Sequence, residues 1–255
     1  MSNPGVRLEI EGRLARLVLD RPPLNVLDIA TLQSLTEALD AVRASRSLRV
    51  LGVSGVGKAF CAGVDVADHA PDRVGQTLRL FHGAIRRLLS LEVPVVACVH
   101  GAALGGGCEL AIACDVVLAR DDARLGQPEI LLGVFPPVAA ALLPRLIGRQ
   151  RALDLILSGR SLGADEARVT GLVSQVWPAD RFAAESTAYL ERLAALSGPA
   201  LRLAKRAANG SRGLPIAEGI ARAEELYLGE LMALPDAREG IAAFLEKRPP
   251  VWQET

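Results

Sequence analysis

PVVACVHGAALGGGCELAIACDVVLARDDARLGQPEILLG, from Pro94 to Gly133, is the stretch that decides the fold of this chain. Its apolar, β-branched opening, Pro94 to Val99, predicts a buried strand that stops at His100-Gly101. Three consecutive glycines, Gly105, Gly106 and Gly107, then open the helical pattern Cys108 to Asp115. At such a start free N–H groups and the positive end of the helix dipole face whatever lies above the turn, and a carbonyl oxygen gaining negative charge suits that place. Glycine lets a ligand approach the backbone, at some cost in helix stability. Glu109 follows Gly106 by three residues, which on a helix puts both on one face. A short strand pattern, Asp115 to Ala119, leads to the turn Gly126-Gln127-Pro128-Glu129, which brings a second carboxylate back toward the first. Two carboxylates around one small volume repel, so one tends to hold a proton while the other stays ionised. Taken singly, Glu109 reads equally well as a glutamate favoured by the helix dipole and Glu129 as a solvated loop residue; together, in so apolar a segment, they read as acid/base machinery.

Outward from this segment, Arg7 to Ile10 and Arg13 to Asp20 predict two strands around a Glu-Gly turn. Ile29 to Arg43 predicts an amphipathic helix with Leu32, Leu35, Leu39 and Val42 on one side, and Val50 to Ser54 the next strand. Gly55 to Asp68 is a candidate ligand loop, and Val74 to Leu91 a helix with a basic face. Two strands followed by a helix, recurring, predict an α/β spiral of ββα turns; the glycines lack the G-x-G-x-x-G spacing of a dinucleotide site. From about Ser197 the pattern is almost wholly helical, which divides the chain into a core, residues 1–196, and a helical layer, residues 197–255.

The 255 residues carry 29 basic and 29 acidic side chains, a balance that gives no hint of a nucleic-acid or membrane-surface role. No apolar run reaches the ~20 residues a membrane span needs, and the first five residues lack the pattern of a signal peptide, so the expected location is cytoplasmic. Cys61, Cys98, Cys108 and Cys114 have no metal-ligand spacing and read as small buried hydrophobes. His69, His82 and His100 are left out of the mechanism, His69 being the best placed to line a site.

Several motifs in order resemble the enoyl-CoA hydratase/isomerase family, the crotonase superfamily. They are Arg21-Pro22-Pro23-Leu24-Asn25-Val26-Leu27, the loop Ala59 to Asp65, the glycine-rich helix start Gly101 to Ala111, the turn Gly126 to Ile130, Pro144 to Gly148 and the tail Glu246 to Trp252. The resemblance covers nearly the whole chain and implies the same spiral. It also implies an oxyanion hole made by the N–H groups of Val64 and Gly106, a catalytic pair in Glu109 and Glu129, and a helical layer packed between subunits of a homotrimer or homohexamer. Ala62, Gly63, Asp65, Val66, Gly105, Phe135, Pro136 and Val138 are then candidates to line the substrate site. Lys247 and Trp252 match a tail that can reach coenzyme A, and read equally well as a helix terminus with an aromatic anchor.

In an α,β-unsaturated thioester the β-carbon is electrophilic only as far as the carbonyl oxygen accepts charge, so two fixed donors favour water addition while the glutamates move protons. The expected activity is that of an acyl-CoA hydratase whose substrate is the coenzyme A thioester, with no metal and no further cofactor. A double-bond isomerase is the nearest alternative; a catalytically idle RNA-binding or scaffold protein is a more distant one, opposed by the balanced charge and the paired glutamates. Two departures bear on the substrate. Pro23 stands where the family often has a coenzyme-binding lysine, and Phe135-Pro136-Pro137-Val138-Ala139-Ala140-Ala141 replaces a glycine-rich tract. This segment, with Pro22 to Asp28, resembles hydratases of cyclic dienoyl-CoA thioesters and predicts a narrow, apolar pocket for a flat ring.

Overall fold

The computed structural model describes residues 5–253. Nine strands run in the order β1 (Val6–Glu11), β2 (Leu14–Leu19), β3 (Val50–Gly55), β4 (Val95–Val99), β5 (Ala102–Leu104), β6 (Val116–Arg120), β7 (Arg124–Gly126), β8 (Ser161–Gly163) and β9 (Gln175–Trp177). The helices are α1 (Ile29–Ala44), α2 (Val74–Ser90), α3 (Gly106–Ile112), α4 (Pro137–Ile147), α5 (Arg149–Ser158), α6 (Ala164–Val169), α7 (Ala179–Ala194), α8 (Gly198–Gly210), α9 (Ile216–Gly229) and α10 (Pro235–Leu245).

One sheet has the order β1-β2-β3-β4-β6-β9 and a second the order β5-β7-β8. The β1–β2 hairpin is antiparallel, and every later pair in the large sheet is parallel. Successive turns of the chain feed both sheets: β4 runs on into β5 and β6 into β7, and β5 pairs with β7 in parallel. This is the spiral that the sequence pattern predicts. The three-residue strands of the second sheet are too short to carry a period of their own.

Period-two alternation explains why β4 reads as a continuous apolar run. Val95, Ala97 and Val99 belong to the main core with Leu32, Leu35, Phe81 and Leu88 of α1 and α2, whereas Val96 and Cys98 face a second cluster with Phe182 and Leu190 of α7. A strand covered on both faces carries no polar alternation. Asp28 starts α1 by accepting the Thr31 N–H at 2.8 Å.

The C-terminal layer is tied to the core by α8. Arg202 donates to the Leu48 carbonyl at 2.9 Å, and Lys205 donates to the Val93 carbonyl at 2.9 Å and pairs with Asp115 at 2.6 Å. No helix among the described residues is long and apolar enough to cross a membrane.

Candidate active site

Asn25 fixes the ligand loop. Its side chain is buried, its Nδ2 donates to the Val56, Ala59 and Phe60 carbonyls, and its Oδ1 accepts the Arg21 N–H. Farther along, Leu27 N–H donates to the Gly63 carbonyl at 2.9 Å and Asp65 N–H donates to the Leu27 carbonyl at 3.0 Å. With Gly63 C=O and Asp65 N–H turned toward Leu27, strand alternation turns the Val64 N–H to the opposite side. That side faces the start of α3.

Each of the three glycines there answers a close approach. A Cβ at Gly107 would lie 2.0 Å from the Cys61 carbonyl oxygen, one at Gly106 would lie 2.7 Å from Val64 Cγ2 and 3.3 Å from Val64 N, and one at Gly105 would meet Glu129 Oε1 at 2.7 Å. Gly105 also has φ +52°, a left-handed conformation open to glycine. Gly106 is the first helical residue, so its N–H has no acceptor within α3. Val64 N–H and Gly106 N–H are thus neighbouring donors on one wall.

Glu109 projects from α3 and is 3% exposed. Its Oε1 accepts the Ala139 N–H at 2.8 Å. Ala139 is the third residue of α4, whose first position is Pro137. A proline at that position needs no hydrogen-bond acceptor, and the next free N–H groups of the turn point out of the helix toward a carboxylate. Desolvation outweighs this bond and, with the nearby charge of Glu129, pushes Glu109 up to about 7. Burial also raises Glu129, against a lowering influence from His69, and its Oε2 is shielded with no hydrogen-bond partner among the described residues.

These groups share one cavity of about 420 Å³. Ala62, Gly63, Val64, Val66, Gly105, Gly106, Glu109, Glu129, Phe135 and Pro136 all line it. Four expected residues do not. The Asp65 side chain accepts the Ala67 N–H and starts a short 3-10 turn. Val138 is buried in the main core, because Phe135 to Ala141 is not a loop through the pocket: from Pro137 onward it is helix α4. Lys247 is exposed at the end of the helical layer, and Trp252 donates its indole N–H to the Ala195 carbonyl at 2.8 Å while its ring packs on Gly240.

Sequence reasoning missed the α2 wall, formed by Val74, Thr77, Leu78, Phe81 and His82. Their spacing of three, four, seven and eight residues is one helix face, a signal that could have found them. His69 also lines the cavity, and its Nδ1 lies 3.0 Å from the Asp65 carbonyl oxygen. His100 lies outside it, with Nε2 3.2 Å from the Gly57 carbonyl oxygen. Burial pushes the Cys61 and Cys98 thiols up to about 12 and raises Cys108 and Cys114 as well, so all four are held as thiols. No group of three or more His, Cys, Asp or Glu side chains that could hold a metal ion is present among the described residues.

Comparison with known proteins follows the same lines. The sequence profile described as enoyl-CoA hydratase/isomerase matches residues 9–255. A cyclohexa-1,5-dienecarbonyl-CoA hydratase of Thauera aromatica is 41% identical over 248 residues, 97% of this chain and 96% of that protein. A 2,3-dehydroadipyl-CoA hydratase of Escherichia coli is 37% identical over 243 residues, 94% of this chain and 95% of that protein. Among solved structures, an enoyl-CoA hydratase from Bacillus anthracis superposes with a TM-score of 0.93 at 31% identity, covering 98% of this chain and 100% of that one.

Proposed function

Since the chain belongs to the enoyl-CoA hydratase/isomerase family, we propose that it is an acyl-CoA hydratase whose catalytic pair is Glu109 and Glu129 and whose oxyanion hole is Val64 N–H with Gly106 N–H. The observation that carries the reading is the meeting of two desolvated carboxylates and two neighbouring backbone donors in one cavity. The thioester carbonyl accepts from the two N–H groups. Glu109, anchored through Oε1, takes a proton from water as the water oxygen bonds to the β-carbon. The electron pair of the double bond moves toward the carbonyl oxygen, where the two donors hold the enolate. Glu129, entering the step protonated, then delivers that proton to the α-carbon, and the proton taken up by Glu109 is returned to Glu129 through solvent before the next turnover. The coenzyme A thioester is the substrate, and no step calls on a metal or a further cofactor.

The acyl group proposed is a compact cyclic dienoyl. Phe135, Pro136 and Pro137 form a stiff apolar wall, and Phe81 stands within the same cavity. The Thauera relative, named for such a substrate, supports the choice. The test compares kcat/KM for cyclohexa-1,5-diene-1-carbonyl-CoA and crotonyl-CoA with purified enzyme. Preference for the ring is expected; preference for crotonyl-CoA overturns the ring and leaves the hydratase, and failure to hydrate either thioester overturns the hydratase.

Two coarser proposals accompany this one. Residues 197–253 form a layer between subunits of a homotrimer or homohexamer, supported by its exposed Ile216, Tyr227, Leu228, Phe244 and Leu245. The enzyme works in the cytoplasm, supported by its coenzyme A substrate.

A further inference from the structure

Hydration as proposed takes a proton from Glu129 and leaves one on Glu109, so each turnover needs a proton route between shielded carboxylates and solvent. Glu129 Oε2 has no hydrogen-bond partner among the described residues, so no neighbour bonded to that atom can resupply it. Four titratable side chains line the cavity among the described residues: Glu109, Glu129, His69 and His82. Glu109 is 3% exposed, and His82 Nε2 is shielded. Of the four, His69 is the exposed one, so it meets solvent while bordering the cavity. Its ring is fixed by its own turn. Nδ1 lies 3.0 Å from the Asp65 carbonyl oxygen, which can only accept, so Nδ1 carries hydrogen and Nε2 is the atom left to gain or lose a proton. The acidic side chains of that turn are engaged elsewhere: Asp65 accepts the Ala67 N–H, and buried Asp68 pairs with Arg73 at 3.2 Å.

We infer that His69 is the relay that returns the proton to Glu129. Between turnovers, His69 Nε2–H gives its proton through water in the cavity to the Glu129 carboxylate, and the neutral ring then takes a proton from solvent. Protons balance, because Glu109 releases to solvent the one it took from the attacking water. Histidine suits the task as the side chain that gains and loses a proton near neutrality, and transfer over a single water is within the reach of a proton donor. The charge of His69 is felt at Glu129, where it favours the ionised carboxylate, while burial favours the protonated one. A cationic ring beside an ionised carboxylate is thus the state before transfer, and burial of Glu129 drives the proton onto it. His69 touches no reacting atom and acts through Glu129 alone, as a positioning residue for the proton.

This inference rests on the hydratase reading, and hydration kinetics separate the two. The substrate is cyclohexa-1,5-diene-1-carbonyl-CoA or crotonyl-CoA, whichever the wild type turns over faster. His69→Ala and His69→Gln are compared with wild type at about pH 8.5 in a dilute, bulky buffer, first without and then with imidazole at constant ionic strength. His69→Gln keeps an N–H for the Asp65 carbonyl and cannot carry a proton. Both variants are expected to lose about tenfold in kcat with KM within about twofold of wild type. Imidazole should restore at least half of the lost kcat in the variants and leave the wild type unchanged. Near pH 6.5, where hydronium is more abundant, the deficit should shrink. An unchanged kcat in both variants overturns the inference, as does a loss that imidazole does not restore. Full activity in His69→Gln beside a loss in His69→Ala makes His69 an anchor of the loop and overturns it too. Failure of the wild type to hydrate either thioester overturns the hydratase reading itself, a result distinct from turnover that does not depend on His69.

Discussion

Glu109 has a measurable thermodynamic signature. An unfolded glutamate loses its proton near 4.5, whereas burial holds the folded one up to about 7. The folded state therefore binds the proton more tightly, and the stability present below pH 4.5 declines as pH rises toward 7. At about 1.4 kcal/mol per pKa unit, the loss above pH 7 is on the order of 3 kcal/mol. Glu109→Gln keeps an oxygen for the Ala139 N–H and carries no charge. Urea unfolding should find the variant about 3 kcal/mol more stable than wild type at pH 8 and little different at pH 4.5; a gap that does not change with pH would contradict the burial cost. The same substitution, like Glu129→Gln, should lower hydration at least about 10²-fold, the range expected for an acid/base group. Near-normal turnover in either variant would remove that residue from the mechanism. Both carboxylates are legible in the sequence because a glutamate beside glycines in an apolar segment is a local pattern. The α2 wall with Phe81 and His82 is legible only in part: its spacing marks one helix face, but that this face meets the cavity depends on the tertiary fold.

At the scale of elements, the start of α3 is packed too tightly for side chains. Gly107→Ala would place a methyl 2.0 Å from the Cys61 carbonyl oxygen, a backbone atom that cannot swing away. A loss of at least about 2 kcal/mol is expected from overpacking, read as a lowered urea midpoint, and an unchanged midpoint would show that the loop yields. Testing the oxyanion donor by Gly106→Pro alone is compromised, because the added atoms meet Val64 Cγ2 at 2.7 Å. In a Val64→Ala background that atom is gone. There Gly106→Pro should reduce kcat by roughly 10² to 10³, the usual effect of losing one such donor, with Val64→Ala alone as the reference; a folded double variant as active as that reference would exclude the Gly106 N–H as a donor. The long strands and the helices α1, α2 and α8 to α10 are legible because each carries several repeats of its own period. Helix α4 is not. Its buried apolar positions, Val138, Leu143 and Ile147, follow two prolines and a run of alanines that read as a loop, and only the carboxylate of Glu109, 30 residues away, reveals that the prolines place an N–H rather than stiffen a loop.

At the scale of the whole molecule, the balance of buried and exposed surface singles out the helical layer. Ile216 on α9 and Phe244 on α10 are each 82% exposed, Leu245 on α10 is 73% and Val251, after α10, 71% exposed, in a layer whose helix α8 is tied to the core by Arg202 and Lys205. Large apolar side chains so exposed together mark an association surface, and a charge placed there would be buried unpaired on assembly. The double variant Ile216→Glu with Phe244→Glu should therefore sediment as a smaller species than wild type, which is expected at the mass of a trimer or hexamer. The chemistry need not be lost with the assembly, since Val64, Gly106, Glu109 and Glu129 line a cavity of one chain. What can be lost is a contact between neighbours: Lys247 is exposed and does not line its own cavity, while Trp252 is held down on Ala195 and Gly240. If Lys247 reaches a neighbour's coenzyme A, the dissociated variant should show a raised KM with kcat within a few-fold of wild type, and Lys247→Ala in the intact assembly should reproduce that rise. A raised KM on dissociation without an effect of Lys247→Ala would assign the loss to distortion of the layer, and an unchanged KM in both would leave the tail as an anchor alone.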